Sequence, residues 1–292
     1  MRKLAWGMAS DPVVSAEWLT EHARDSHIRV LDASWYLSAM KRDPRKDFRD
    51  GHIPGAQLFS IDDASDPSSP LPHTFPSATQ FADVVSRLGI STGDHVIVYD
   101  ASGTNFSAPR VWWMFRAFGH AHVSLLDGGL GAWKAAGGAV ETGDPRLVPQ
   151  GSFNAELNAE MTRSAEQVQE ARHANAAQVV DMRSRGRFEG TEPEPRPGLR
   201  SGHIPGSRNV PYASLVNERG LLRSETELRA IMDGAGIDVR RPVIATCGSG
   251  VTACSLLLAL HALGATDIAL YDGSWSEWGQ RQEFPVETGP PR

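Results

Sequence analysis

The chain has 292 residues, 40% of them hydrophobic and 22% charged, with a formal net charge of −6. That length accommodates about two ordinary domains, and the acidic balance gives no electrostatic case for nucleic acid or an anionic membrane. No apolar run approaches the ~20 residues of a membrane span. Two cysteines, with no CxxC pair, supply neither a disulfide framework nor a zinc site, so a reducing, cytoplasmic setting is expected.

In chain order, the opening MRKLAWGMASDPVVSAEW has basic residues but no sustained apolar stretch, so no secretory leader is expected. A short apolar strand, RVLDAS, carries Asp32, and DGHIPGA follows at residues 50–56. A Pro/Ser-rich loop, IDDASDPSSPLPHTFP, leads into an amphipathic helix, SATQFADVVSRLG. Then come a second strand, VIVYDASG, the segment SAPRVWWMFRAFGH, and a turn with tryptophan, LDGGLGAW.

The same order then recurs about 145–151 residues later, the mark of a duplicated domain. QVVDMRS carries Asp181, SGHIPGS spans 201–207, SETELRAIMDGAG is amphipathic, and VIATCGSG and LYDGSWSEW close the half. Between the copies, ETGDPRLVPQGSFNAELN (141–158) is rich in Pro, Gly and polar residues without a helical period, as expected of a linker. The expected organisation is a first domain over 8–140 and a second over 159–288. Strands alternating with amphipathic helices predict an α/β fold, a parallel sheet with helices on both faces.

The chemistry concentrates at ATCGSGVTACSLL. Cys247 follows an apolar strand and precedes a glycine-punctuated loop that opens a helix, the place where open α/β sheets build their sites. Gly248 and Gly250 allow a nest of N–H groups, and the helix N-terminus adds partial positive charge; both favour a thiolate over a thiol. The bland alternative is a buried, inert cysteine. For Cys254, placed one to two turns into an apolar helix, that bland reading is preferred. The duplication provides a control, because Asp100 stands in the first half where Cys247 stands in the second. A Cys-x5-Arg phosphatase is excluded, since the sixth residue after Cys247 is Ala253.

GHIPGA, SAPRVWWMFRAFGH, SLLDGG, GRFEGTEPEPRPG and CGSGVTAC together resemble the tandem rhodanese sulfurtransferases over nearly the whole chain. The resemblance implies two rhodanese-like domains, each a parallel five-stranded sheet flanked by helices, with a catalytic Cys247 that cycles through a persulfide. The loop Gly248, Ser249, Gly250, Val251, Thr252 is similar to that of members acting on 3-mercaptopyruvate; thiosulfate-preferring members resemble CRKGVT. The resemblance maps substrate-binding arginines onto Arg187 and Arg196, although either could instead form a structural ion pair with Glu189, Glu192 or Glu194. It also maps a Ser-His-Asp relay onto Ser249, His73 and Asp62, with Asp63 left open as the partner and a turn-capping histidine as the bland alternative. His52 and His203, which repeat in both halves, read as structural turn residues, and Trp112, Trp113, Trp133 and Trp278 as core.

The expected activity is transfer of sulfur from 3-mercaptopyruvate to a small thiol, thioredoxin or cyanide, with no metal or organic cofactor. Two rivals stay open: a thiosulfate:cyanide sulfurtransferase, and a noncatalytic sulfur carrier loaded by a partner.

Overall fold

The computed structural model describes residues 11–291; the expected first-domain start at residue 8 and the opening ten residues lie outside them. The first half runs β1 (Val13–Val14), α1 (Ala16–His22), β2 (Ile28–Asp32), α2 (Pro44–Asp50), β3 (Gln57–Leu58), α3 (Ala78–Arg87), β4 (His95–Tyr99), α4 (Ala108–Ala117), β5 (Val123–Leu126) and α5 (Gly129–Ala135). The second runs β6 (Thr162–Arg163), α6 (Ala165–His173), β7 (Gln178–Asp181), α7 (Arg185–Glu189), β8 (Arg208–Asn209), α8 (Glu225–Gly234), β9 (Val243–Thr246), α9 (Ala253–Ala262), β10 (Ile268–Tyr271) and α10 (Ser274–Trp278).

Each half forms one five-stranded sheet, in the orders β1-β5-β4-β2-β3 and β6-β10-β9-β7-β8. Every pairing is parallel, as strands joined by crossover helices require. Helices α3, α6 and α8 each begin at a serine whose hydroxyl caps the first turn while a Gln or Glu three residues on caps the serine in return. The sequence places those helices where their capping signals sit.

β4 and β9 occupy the sheet centres, so their carboxyl ends open where crevices form. Asp100 follows β4 and Cys247 follows β9. One apolar core runs through both halves: Trp112 and Trp113 on α4 join Leu256–Leu260 on α9 in a single cluster. Trp133 and Trp278 are buried in the separate outer cores of the two halves. The repeated histidines are structural. His52 stacks on Phe48 and shares a hydrogen bond with its carbonyl at 2.8 Å; His203 does the same with Phe188, also at 2.8 Å. Among the described residues no helix is long and apolar enough to cross a membrane.

Candidate active site

The cysteine loop is fastened from one side. Cys247 N donates to Ser274 Oγ at 3.2 Å and its carbonyl accepts from Trp275 N at 3.0 Å. The Gly248 carbonyl accepts from both the amide and the hydroxyl of Ser276. Among the described residues, the amides of Gly248 through Thr252 donate to no other protein atom, and Thr252 caps α9 without a side-chain bond. Free N–H donors at a helix N-terminus beside a buried sulfur form a receptor for a thiolate or persulfide.

The two glycines act differently from the shared role the sequence suggested. Gly250 has φ +76, which only glycine adopts cheaply. Gly248 lies outside the left-handed region; a β-carbon there would come within 3.0 Å of Arg187 Nη2, so its role is to admit the arginine.

In the first half the matching loop is already filled. The Asp100 carboxylate accepts from the amides of Ser102, Ser107 and Ala108, each at 2.9 Å, and from the Ser102 hydroxyl. A fixed carboxylate there occupies the donors that the second half leaves open. Cys254 falls in the first turn of α9, earlier than expected, yet it is fully buried and donates to the Gly250 carbonyl at 3.3 Å. Burial pushes its thiol well above the usual range.

Across the seam between the halves, His73 Nδ1 lies 3.0 Å from Ser249 Oγ, and its Nε2 lies 3.2 Å from Asp62 Oδ1. The bond to His73 holds the Asp62 carboxyl below its ordinary value. Asp63 turns away and pairs with Arg45 at 3.3 Å, so of the two neighbouring aspartates it is Asp62 that faces His73. His73 is buried against Trp35, edge-on at 4.6 Å between ring centres.

The two arginines differ. Arg187 is bound by Glu194, Nη2 to Oε2 at 2.6 Å and Nε to Oε1 at 3.2 Å. Glu194 is itself buried and shared with Arg183, which also grips Asp181 at 2.6 Å. Arg187 therefore has the structural ion pair weighed for it, and that pair aims it over Gly248. Arg196 makes no hydrogen bond or ion pair among the described residues. Burial pulls its basicity down, and the nearby Cys247 counts among the charges that oppose the shift.

Cys247, Gly248, Ser249, Val251, Thr252, Arg187 and Arg196 line one cavity of about 50 Å³, closed by Trp35, Leu37 and Phe106 from the first half and Tyr212 from the second. That volume holds a few water-sized groups. Sequence reasoning passed over the aromatic wall, and it left Glu194 as one of three possible acidic partners. Three acidic residues crowd GRFEGTEPEPRPG, and only the fold shows that Glu194 is the buried one.

The rhodanese-like domain family matches this chain twice, over residues 15–136 and 164–281. The chain is 45% identical to human 3-mercaptopyruvate sulfurtransferase over 92% of each chain, and 46% identical to rat thiosulfate sulfurtransferase over 94% of each. The crystal structure of SseA, a 3-mercaptopyruvate sulfotransferase from Escherichia coli, superposes with a TM-score of 0.83 at 43% identity, covering 92% of this chain and all of the other. This chain belongs to the rhodanese family, as a member with two tandem domains.

Proposed function

We propose that this protein transfers sulfur from 3-mercaptopyruvate, through a persulfide on Cys247, to a small thiol, thioredoxin or cyanide, releasing pyruvate. Overall identity does not select the donor, since relatives named for each donor match about equally well. The observation that carries the choice is Ser249 hydrogen-bonded to His73 beside Cys247, in a loop without lysine or arginine. Thiosulfate is a dianion and asks for cations at the loop. Mercaptopyruvate asks for a partner for its carboxylate and a donor for its ketone oxygen.

In the reaction, the Cys247 thiolate attacks the substrate sulfur. The S–S bond forms as the C–S bond breaks, and the electron pair moves onto the ketone as pyruvate enolate. The thiol proton of the substrate ends on the pyruvate methyl group, leaving an anionic persulfide. The open amides of Gly248 to Thr252 hold that anion. A hydrogen bond donated from His73 Nδ1 to Ser249 Oγ leaves the hydroxyl hydrogen for the developing enolate oxygen, with Asp62 on the far side of the ring. Arg196 and the Glu194-aimed Arg187 hold the carboxylate, each with a bidentate fork available. A free thiol chemistry of this kind suits a reducing compartment such as the cytoplasm.

Comparing kcat/KM for 3-mercaptopyruvate and thiosulfate with cyanide as common acceptor tests the donor. A preference for 3-mercaptopyruvate of at least about tenfold is expected, a difference of about 1.4 kcal/mol in transition-state binding. Equal values or a thiosulfate preference would overturn the assignment.

A further inference from the structure

A histidine on a Pro/Ser-rich loop needs something to hold it against another domain's serine. His73 sits at φ +61, in the left-handed region that side chains rarely adopt. The duplication explains the geometry. The register that places Asp100 on Cys247 places His73 on Gly220, which has φ +74, and Phe75 on Leu222. The second half makes this turn with glycine; the first half builds it with the side chain that reaches Ser249.

A closed ring of bonds grips that turn. Arg110 Nη2 donates to the His73 carbonyl, and Arg110 Nη1 pairs with Asp272 Oδ1 at 2.7 Å. Asp272 Oδ2 completes the ring by accepting from Phe75 N at 2.7 Å. Arg110 is fully buried, lies over the Phe75 ring at 4.3 Å, and reaches the Gly250 carbonyl at 3.4 Å. Half of this arrangement recurs on the other side of the seam. Asp127, the counterpart of Asp272, accepts from Leu222 N at 2.8 Å, and Asn105 donates to the Gly220 carbonyl at 3.1 Å. With α4 laid on α9, the counterpart of Arg110 there is Ser255. Both halves have the aspartate latch, but the arginine stands only where the histidine does.

We propose that Arg110, fixed by Asp272, is the positioning residue of the Ser249–His73–Asp62 relay: it holds the strained His73 backbone so that Nδ1 stays in reach of Ser249. This rests on the relay reading of the site. The Cys247 end of the loop is held by Ser274, Trp275 and Ser276, and the clamp touches that loop only through the long Arg110 contact to the Gly250 carbonyl. The clamp therefore serves sulfur loading from a keto donor and not the unloading of sulfur to an acceptor.

Single-turnover kinetics separate those steps. In Arg110→Lys and Asp272→Asn, loading of Cys247 from 3-mercaptopyruvate should slow about ten- to a hundredfold, as misplacement by about 1 Å does elsewhere. The half-saturating concentration should stay within about twofold, as should the rate at which cyanide strips sulfur from loaded enzyme. Adding Arg110→Lys to His73→Ala should cost nothing further, since both changes disable one unit. Asp272→Asn keeps the size and an acceptor for Phe75 N, and carries the test if the buried lysine prevents folding. Equal slowing of loading and unloading, or additive losses in the double variant, would reduce the clamp to packing and overturn the proposal. Normal loading in His73→Ala would overturn the relay and the clamp with it; impaired His73→Ala with both clamp variants normal would overturn the clamp alone.

Discussion

Losing Arg196 and losing Arg187 are different experiments, because only Arg187 has a buried acidic partner. A charge-assisted hydrogen bond to a carboxylate contributes on the order of 1.5–3 kcal/mol, so either arginine replaced by glycine should raise KM for 3-mercaptopyruvate roughly ten- to a hundredfold. Arg196→Gly should leave the melting temperature nearly unchanged. Arg187→Gly should lower it, since Glu194 then keeps only Arg183 in a buried site, and should also lower kcat because its guanidinium lies over Gly248. Steady-state kinetics with thermal melts of both variants check this; a stability loss confined to Arg196→Gly would contradict it. At this scale the sequence reveals residue types and hides partners. Cys247 stands out through its glycines, and Ser249, His73 and Asp62 through resemblance. Asp62 and Asp63 are adjacent and chemically alike, so only backbone direction separates them. Arg110 and Asp272 lie 162 residues apart and meet across the domain seam. The visible trace of that meeting is an arginine inside the apolar run APRVWWMF.

The two loops after β4 and β9 are one element built for opposite ends. Asp100 fills its own nest, and its removal should cost stability. Asp100→Ala leaves two buried amides and one half-buried amide short of an acceptor and should destabilise the chain by about 1–3 kcal/mol, measured by denaturant titration. Asp100→Cys in a Cys247→Ser background should gain no sulfur from 3-mercaptopyruvate. Ala101 stands where Gly248 admits Arg187, and the Ser102 hydroxyl ties the amides of Thr104 and Phe106. Sulfur found on the introduced thiol would mean that the asymmetry lies elsewhere. The strands, the capped helices and the duplication were legible because period and punctuation are local signals. The self-filled nest was not, since an aspartate after a strand does not declare which amides it will accept from.

Over the whole molecule the halves share one core, so thermal unfolding should proceed as a single transition, with Trp112→Ala costing about 3–5 kcal/mol. Acid should weaken it. Burial, the largest cause, holds both His95 and His261 down at about 4, against an ordinary value near 6.5. Their contribution is present above pH 6.5 and is lost as pH falls toward 4, because the unfolded chain binds protons the folded one refuses. Asp32, raised by burial to about 6, works the other way: its contribution is present below about pH 4 and lost as pH rises through 6. Two histidines outweigh one aspartate, so the melting temperature should fall between pH 6.5 and 4, and fall more steeply in Asp32→Asn. A flat profile would contradict the burial of these rings.

The central claim is that Cys247 takes sulfur directly from a keto thiol with no partner protein. Intact mass after mixing with 3-mercaptopyruvate alone, read beside pyruvate release, tests it most directly. Wild type and Cys254→Ser should each gain one sulfur atom with an equal amount of pyruvate, and Cys247→Ser should gain none. Sulfur on Cys247→Ser, or none on wild type without an added partner, would contradict the account.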